Sequence, residues 1–432
     1  MESGPVVPAY ILRGHEAAIH ALHFYASNAL LASGDSDGWM VIWSLSSKRP
    51  VAVFKAHDGG ILQIKHWTTN RLISHGRDHK LRVWQLRQED FAGFSTKLPN
   101  DSNDTTSEAV ASASTHPQPW LLHSLSVNAL NFCAFSMCHQ DPRHPASEEP
   151  APQLIASPNG LDSGGIDIFQ LPSERRVSQI RSDTGSPAGM VMAVCLFHQT
   201  TGPDSRLVLI SGYEDGRIAI HTHQGNMGDP DGPPGWQKLT SCDRAHTQPI
   251  LSLATLPSDS RTHFFTSGAD SLISKFCLPS SLADMHAQDL QSEKCINTKH
   301  SGQQGLSVRS DGKIFATAGW DGRVRVYSCK TMKELAVLKW HKVGCYSTAF
   351  AVIDPVITRE AGGDGGNVLS ITASPASMGD GAMLSTYTAA KDLTKRMSAL
   401  DTIKQQREEK ARRTHWLAAG GKDGKISLWD IY

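Results

Sequence analysis

Apolar and polar residues alternate along this chain in short runs, the period-two pattern of strands with one buried face. The runs come in sets around a repeated marker: a small or hydroxyl residue, an Asp-containing turn, two alternating aliphatic positions, then an aromatic ring. The marker reads Ser33-Gly-Asp-Ser-Asp37-Gly leading to Trp43. It returns as Ser74-His-Gly-Arg-Asp78 leading to Trp84, Ser211-Gly-Tyr-Glu-Asp215-Gly leading to His221, and Thr266-Ser-Gly-Ala-Asp270 leading to Phe276. Thr317-Ala-Gly-Trp-Asp321-Gly leads to Tyr327, and Ala419-Gly-Gly-Lys-Asp423-Gly leads to Trp429. A seventh, weaker copy ends at Phe169, with Ser163 in place of the Asp.

Asp-Gly between two strand-like runs is a tight hairpin turn, because glycine accepts positive φ. The aliphatic positions after the turn alternate with polar ones, and only Lys275 breaks them. Upstream of the markers lie Gly14-His15, Ala56-His57, Ala245-His246 and Trp340-His341, each before another apolar run; His123 and His300 hold similar places in weaker copies. The unit is therefore a His turn followed by four strands, with the Asp turn between the second and third. Seven copies predict an all-β, seven-bladed propeller over residues 8–432. The run ending at Trp429 is a third strand with no fourth behind it. Pro8 to Arg13 is a strand with no partner, so it is expected to complete the last blade and close the ring.

Four stretches interrupt the repeat. Residues 88–119 are rich in Ser, Thr, Asn and Asp and read as a disordered insertion. Residues 138–152 and 222–235 read as loops. The longest, 351–414, falls between the first two strands of the last blade and is expected to be helical in its second half, with Leu393, Met397, Leu400 and Ile403 on one face. Residues 391–413 are also locally basic. A helix packed on the propeller and a helix that docks a partner both fit this pattern.

Composition narrows the function. The 432 residues carry 42 Lys+Arg against 42 Asp+Glu, so the field needed by a general nucleic-acid or membrane-surface binder is missing. Hydrophobic content of 39% is too high for wholesale disorder. No apolar run is long enough to span a bilayer and no secretory leader is visible. Eight scattered cysteines without a Cys-x-x-Cys pair read as free thiols, which places the chain in the cytosol or nucleus.

The His, Ser/Thr and Asp of each unit imitate a hydrolase triad. Their repetition argues against it, since catalysis needs one nucleophile at one cleft. The sets are expected instead to form structural hydrogen-bond chains running Asp to His to hydroxyl to Trp. The residues are His15, Ser33, Asp37 and Trp43; His57, Ser74, Asp78 and Trp84; His246, Thr266 and Asp270; Thr317 and Asp321; and Asp423 and Trp429. Ala419 lacks the hydroxyl in the last set, and the third and fourth blades lack full sets, which leaves them to packing. Paired histidines (His20 with His23, His75 with His79, His221 with His223) have no third ligand at recognisable spacing, and no phosphate-binding loop is present, so no metal, cofactor or catalytic residue is expected. Aromatic and Arg residues at turns are the expected anchors for partners: Trp39, Arg77, Tyr213 and Trp320, read as one face.

The repeated Gly-His and Trp-Asp markers resemble WD40 proteins over nearly the whole chain. Pro8-Ala-Tyr-Ile-Leu-Arg-Gly-His15, Phe54-Lys-Ala-His-Asp-Gly-Gly-Ile61 and Gly420-Gly-Lys-Asp-Gly-Lys-Ile-Ser-Leu-Trp-Asp-Ile-Tyr432 are similar to the fungal ASTRA-associated WD-repeat proteins and their G-protein-β-like relatives. The resemblance implies a non-enzymatic scaffold in the ASTRA complex, a nuclear assembly linked to chromatin remodelling. Its implied partners are the other ASTRA subunits and the chaperones that mature phosphatidylinositol-3-kinase-related kinases, with the cytoplasm as a second compartment. The alternative is a substrate receptor of a cullin-type ubiquitin ligase, suggested by Trp84-Gln-Leu-Arg87, in which Gln stands where that motif has Asp. A phosphoinositide site would need a paired-Arg loop with aromatic and glycine flanks, and Glu174-Arg-Arg-Val177 has neither.

Overall fold

The computed structural model describes residues 6–431 except 104–117, 129–132, 142–149, 184, 186, 202–203, 224–226, 228–234, 258–261, 279–289 and 354–398. Its strands form seven four-stranded antiparallel sheets, a seven-bladed propeller. Blade 1 is Ile19–Tyr25, Leu30–Asp35, Trp39–Ser44 and Arg49–Lys55, and blades 2 to 6 follow in chain order. The first strands of neighbouring blades adjoin one another, so they line the central channel. Each turn between second and third strands opens on one face of the ring, and each turn between first and second strands on the other.

Blade 7 is assembled from both ends of the described chain. Tyr10–Arg13 pairs with Lys425–Asp430, with Leu12 opposite Ile426, and the blade continues through Trp416–Gly421 to Cys345–Phe350. Leu12 is buried and shares a core with Ile19, Leu31 and Val41 of blade 1 and Trp416 and Leu428 of blade 7. The next core joins blade 1 to blade 2 in the same way, through Ile42, Phe54, Ile61 and Leu72. The hydrophobic core thus lies between blades, and each aliphatic face needs its neighbour.

The Asp turns also join blades. Gly38 has φ +87°, and a Cβ there would stand 2.1 Å from the carbonyl oxygen of His57 in the next blade. Gly424 closes the circle in the same manner, with a Cβ 2.2 Å from the His15 carbonyl oxygen. Glycine is required at these positions by conformation and by contact. Lys275, the residue that breaks the aliphatic pattern, is buried with its ammonium 3.0 Å from the Glu293 carboxylate.

The stretch read as disordered from residue 88 is structured over its first half. Gln88–Gly93 and Pro99–Asn103 are short 3-10 helices. Phe91 and Phe94 pack on the blade 1–2 core and Leu98 on the blade 7–1 core. Three well-placed apolar side chains inside a polar stretch hold it down, and composition averages them away. Residues 104–117 lie outside the described residues, as do Leu393 and Met397. The long insertion resumes as helix α1, Ala399–Arg413. Of the apolar side read from the sequence, Leu400 and Ile403 are exposed, and Ala411 is the buried contact.

Candidate functional site

In blade 2 the four residue types meet. His57 Nδ1 donates to Asp78 at 2.8 Å, and Nε2 lies 2.7 Å from Ser74 Oγ. The Trp84 indole donates to the same oxygen at 2.8 Å. A carboxylate only accepts, so the His proton sits on Nδ1 and Nε2 accepts from the hydroxyl. Burial raises the Asp78 carboxyl, but the His57 hydrogen bond and the Arg82 charge outweigh it and hold it at about 2. Ser74 is fully buried, so no substrate can reach its hydroxyl.

Blade 1 repeats the chain with one correction. The carboxylate that meets His15 is Asp35, at 2.6 Å, and not Asp37, which is exposed. Asp35 also accepts from the backbone N–H groups of Asp37 and Trp39, so it organises the turn that Asp37 merely occupies. Ser33 and Trp43 complete the set at 2.7 and 2.8 Å. Blade 5 has His246 with Asp270 at 3.0 Å and Thr266 at 2.8 Å, while Phe276 has no N–H to add. In blade 7 His341 meets Asp423 at 3.2 Å, and the hydroxyl that Ala419 lacks comes from Ser427 across the strand pair. Trp429 donates to Ser427 at 2.9 Å.

Blade 6 uses other chemistry. Asp321 is held by Arg325 at 2.6 Å with His300 Nδ1 3.5 Å away, and Thr317 donates to Gln303, so no imidazole links the acid to the hydroxyl. Blades 3 and 4 are not left to packing alone. Asn159 donates to Asp167 at 2.9 Å, and Ser211 donates to the Tyr213 hydroxyl at 3.2 Å. Tyr213 is therefore buried and structural, not an exposed anchor.

The four expected anchors all stand at Asp turns, but they do not meet in one exposed patch. Trp39 is half-buried against the blade 7–1 core beside Leu98. Arg77 and Trp320 do meet, at the mouth of the central channel on the Asp-turn face, in a cavity of about 680 Å³. Two sequence positions build this mouth. One is the residue just before the turn Asp, which supplies Arg77, Trp320 and Lys422. The other had no sequence signal. In six blades the pairing of first and second strands slips by one residue near its start, leaving His20, Leu62, Met192, Leu251, Gln304 and Tyr346 outside the ladder. A bulge re-aims its extra side chain, and five of these six line the mouth. Trp320 is 45% exposed and its indole donates to Gln304 at 2.8 Å. His20 and Tyr346 stack in parallel with ring centres 5.0 Å apart. Burial, then the Arg77 charge, lowers the His20 pKa. Among the described residues, none lining the mouth is acidic.

The stems of the long insertion lie on the opposite face. They are tied to blade 1 by Asn28, which is buried, donates to the Val352 and Arg412 carbonyls at 2.7 and 3.3 Å, and accepts from the Val352 N–H at 2.9 Å. His23 and His66 share a 2.7 Å hydrogen bond on that side. Among the described residues no group of three or more His, Cys, Asp or Glu is placed to hold a metal ion.

The model of the family described as ASTRA-associated protein 1 matches residues 8–429. Proteins of that name from Aspergillus niger and Penicillium rubens are 48% and 46% identical over 99% of this chain and 98% of their own length. One from Schizosaccharomyces pombe is 32% identical over 79% of this chain and 93% of its own.

Proposed function

Because the chain belongs to the ASTRA-associated protein 1 family, we propose that it is a non-catalytic scaffold subunit of the ASTRA complex, acting in the nucleus in chromatin remodelling and in the maturation of phosphatidylinositol-3-kinase-related kinases with their chaperones. The family match over residues 8–429 carries the reading. The fold supports the scaffold role, since its His–hydroxyl–Asp sets are buried bracing and the exposed Trp320, Arg77 and Lys422 come together at the channel mouth. Rigid anchors of this type dominate protein interfaces. Tagged purification of the full chain followed by mass spectrometry is the test. Other ASTRA subunits and kinase-maturation chaperones are expected to come with it, and Arg77→Glu combined with Trp320→Ala is expected to lose them without unfolding the chain. Purification of the chain alone, or an unchanged set of partners for the double variant, refutes this reading.

A further inference from the structure

We propose that the channel mouth binds an extended acidic segment of a partner protein, seating one apolar side chain in the cup and its neighbouring carboxylates on Arg77 and Lys422. This deepens the scaffold reading, from which it takes that the face docks protein. The cup has an apolar wall of Ile61, Leu62 and Leu251, to which Tyr346 and Trp320 add aromatic rings. Trp320 is pinned by its hydrogen bond to Gln304 and Tyr346 by its stack on His20, so little side-chain freedom is lost when a ligand arrives.

The charges are one-sided. Arg77 and Lys422 are exposed at the rim, while Glu214, at the corresponding turn of blade 4, accepts from the Met190 N–H and is not part of the lining. A basic or uncharged segment would gain nothing from this pair, and an acidic one is attracted and oriented by it. Most of the lining side chains sit on a bulge of an inner strand or beside a turn Asp, which fixes them to the ring. The mouth is thus a preformed site and not a flexible patch. A guanidinium matches a carboxylate bidentately, which makes Arg77 the preferred seat for one acidic side chain, and the Lys422 ammonium serves as a second point charge.

The test selects a randomised short-peptide display library on the full chain. The strongest peptide is then measured by fluorescence anisotropy against wild type, Arg77→Glu and Lys422→Glu. Selected sequences are expected to place Asp or Glu beside a Leu, Phe or Trp. Each charge reversal is expected to weaken binding about tenfold, and affinity to fall with salt. Lys422 is exposed, so its variant keeps the fold, and a thermal melt checks this. No selected peptide, basic or uncharged sequences, or affinities indifferent to both reversals overturn the inference. A chain that captures ASTRA subunits yet selects no acidic peptide refutes this inference alone. One that selects acidic peptides yet captures no ASTRA subunit refutes the scaffold assignment and leaves the peptide chemistry standing.

Discussion

A turn with two acids, Asp35 and Asp37, shows what residue-level reading can and cannot decide. Repeat alignment points to Asp37, because it occupies the place of Asp78. The buried His15 instead meets Asp35, two positions earlier, since that carboxylate ends the second strand and can also cap the turn's N–H groups. Asp35→Ala is expected to cost about 3–5 kcal/mol in urea unfolding, the range for removing one partner of a buried pair. Asp37→Ala should stay within about 0.5 kcal/mol, as surface substitutions do. Equal losses for the two would return the tetrad to Asp37. Ser427 makes a similar point. Its hydroxyl takes the place that Ala419 leaves empty, because the two residues face each other across one strand pair. Ser427→Ala leaves the buried Trp429 N–H and His341 Nε2 without partners, and about 1–3 kcal/mol of destabilisation should follow in the same assay. The hydroxyl and the acid were each legible as a need of the unit; which residue met that need depended on register.

At the scale of elements, repetition is the strongest signal a chain can carry, and the strands, the Asp-Gly turns and the closing strand were all readable from it. The bulges were not, because a slip in pairing leaves the hydrophobic alternation of the strand nearly intact. They are what aims His20, Leu62, Leu251, Gln304 and Tyr346 at the channel mouth, so the part of the site that escaped the sequence is the part set by pairing and not by pattern. Helix α1 was also readable, but not what its apolar side would meet: Leu400 and Ile403 face solvent and the element is held at its base. Asn28 bonds both stems of the insertion to blade 1, so Asn28→Ala should release them together. Limited proteolysis is expected to cut the region of 352–414 several-fold faster in this variant while the blades resist. An unchanged cleavage rate would mean that Trp416, whose indole donates to the Ala411 carbonyl at 2.9 Å, holds the helix without Asn28.

The whole ring stores a pH dependence that no single blade reveals. Two kinds of titrating group are built into it, and they act in separate windows. The tetrad acid Asp78 is held at about 2, below its ordinary 3.8, so its contribution is present above that ordinary value and is lost only as pH falls toward about 2. The buried imidazoles behave otherwise. Burial holds His75 at about 3 and, with the His66 and Lys65 charges, His23 at about 3; burial and then Lys238 hold His221 at about 4. Each is neutral in the folded ring, whereas the unfolded chain takes up a proton near the ordinary 6.5. Between those limits the unfolded state binds more protons, so stability rises with pH and is lost as pH falls below about 6.5. One such group supplies a slope of up to about 1.4 kcal/mol per pH unit inside its window. Urea midpoints should therefore drop between about pH 7 and pH 5, well before Asp78 protonates. His75→Gln should flatten that slope by about 1 kcal/mol per unit, whatever it does to stability at neutral pH, because it removes one buried titration. Stability that stays level down to about pH 5, or a slope that survives the substitution unchanged, would show that the buried imidazoles find compensating partners as they charge, and that acid sensitivity belongs to the carboxylates instead.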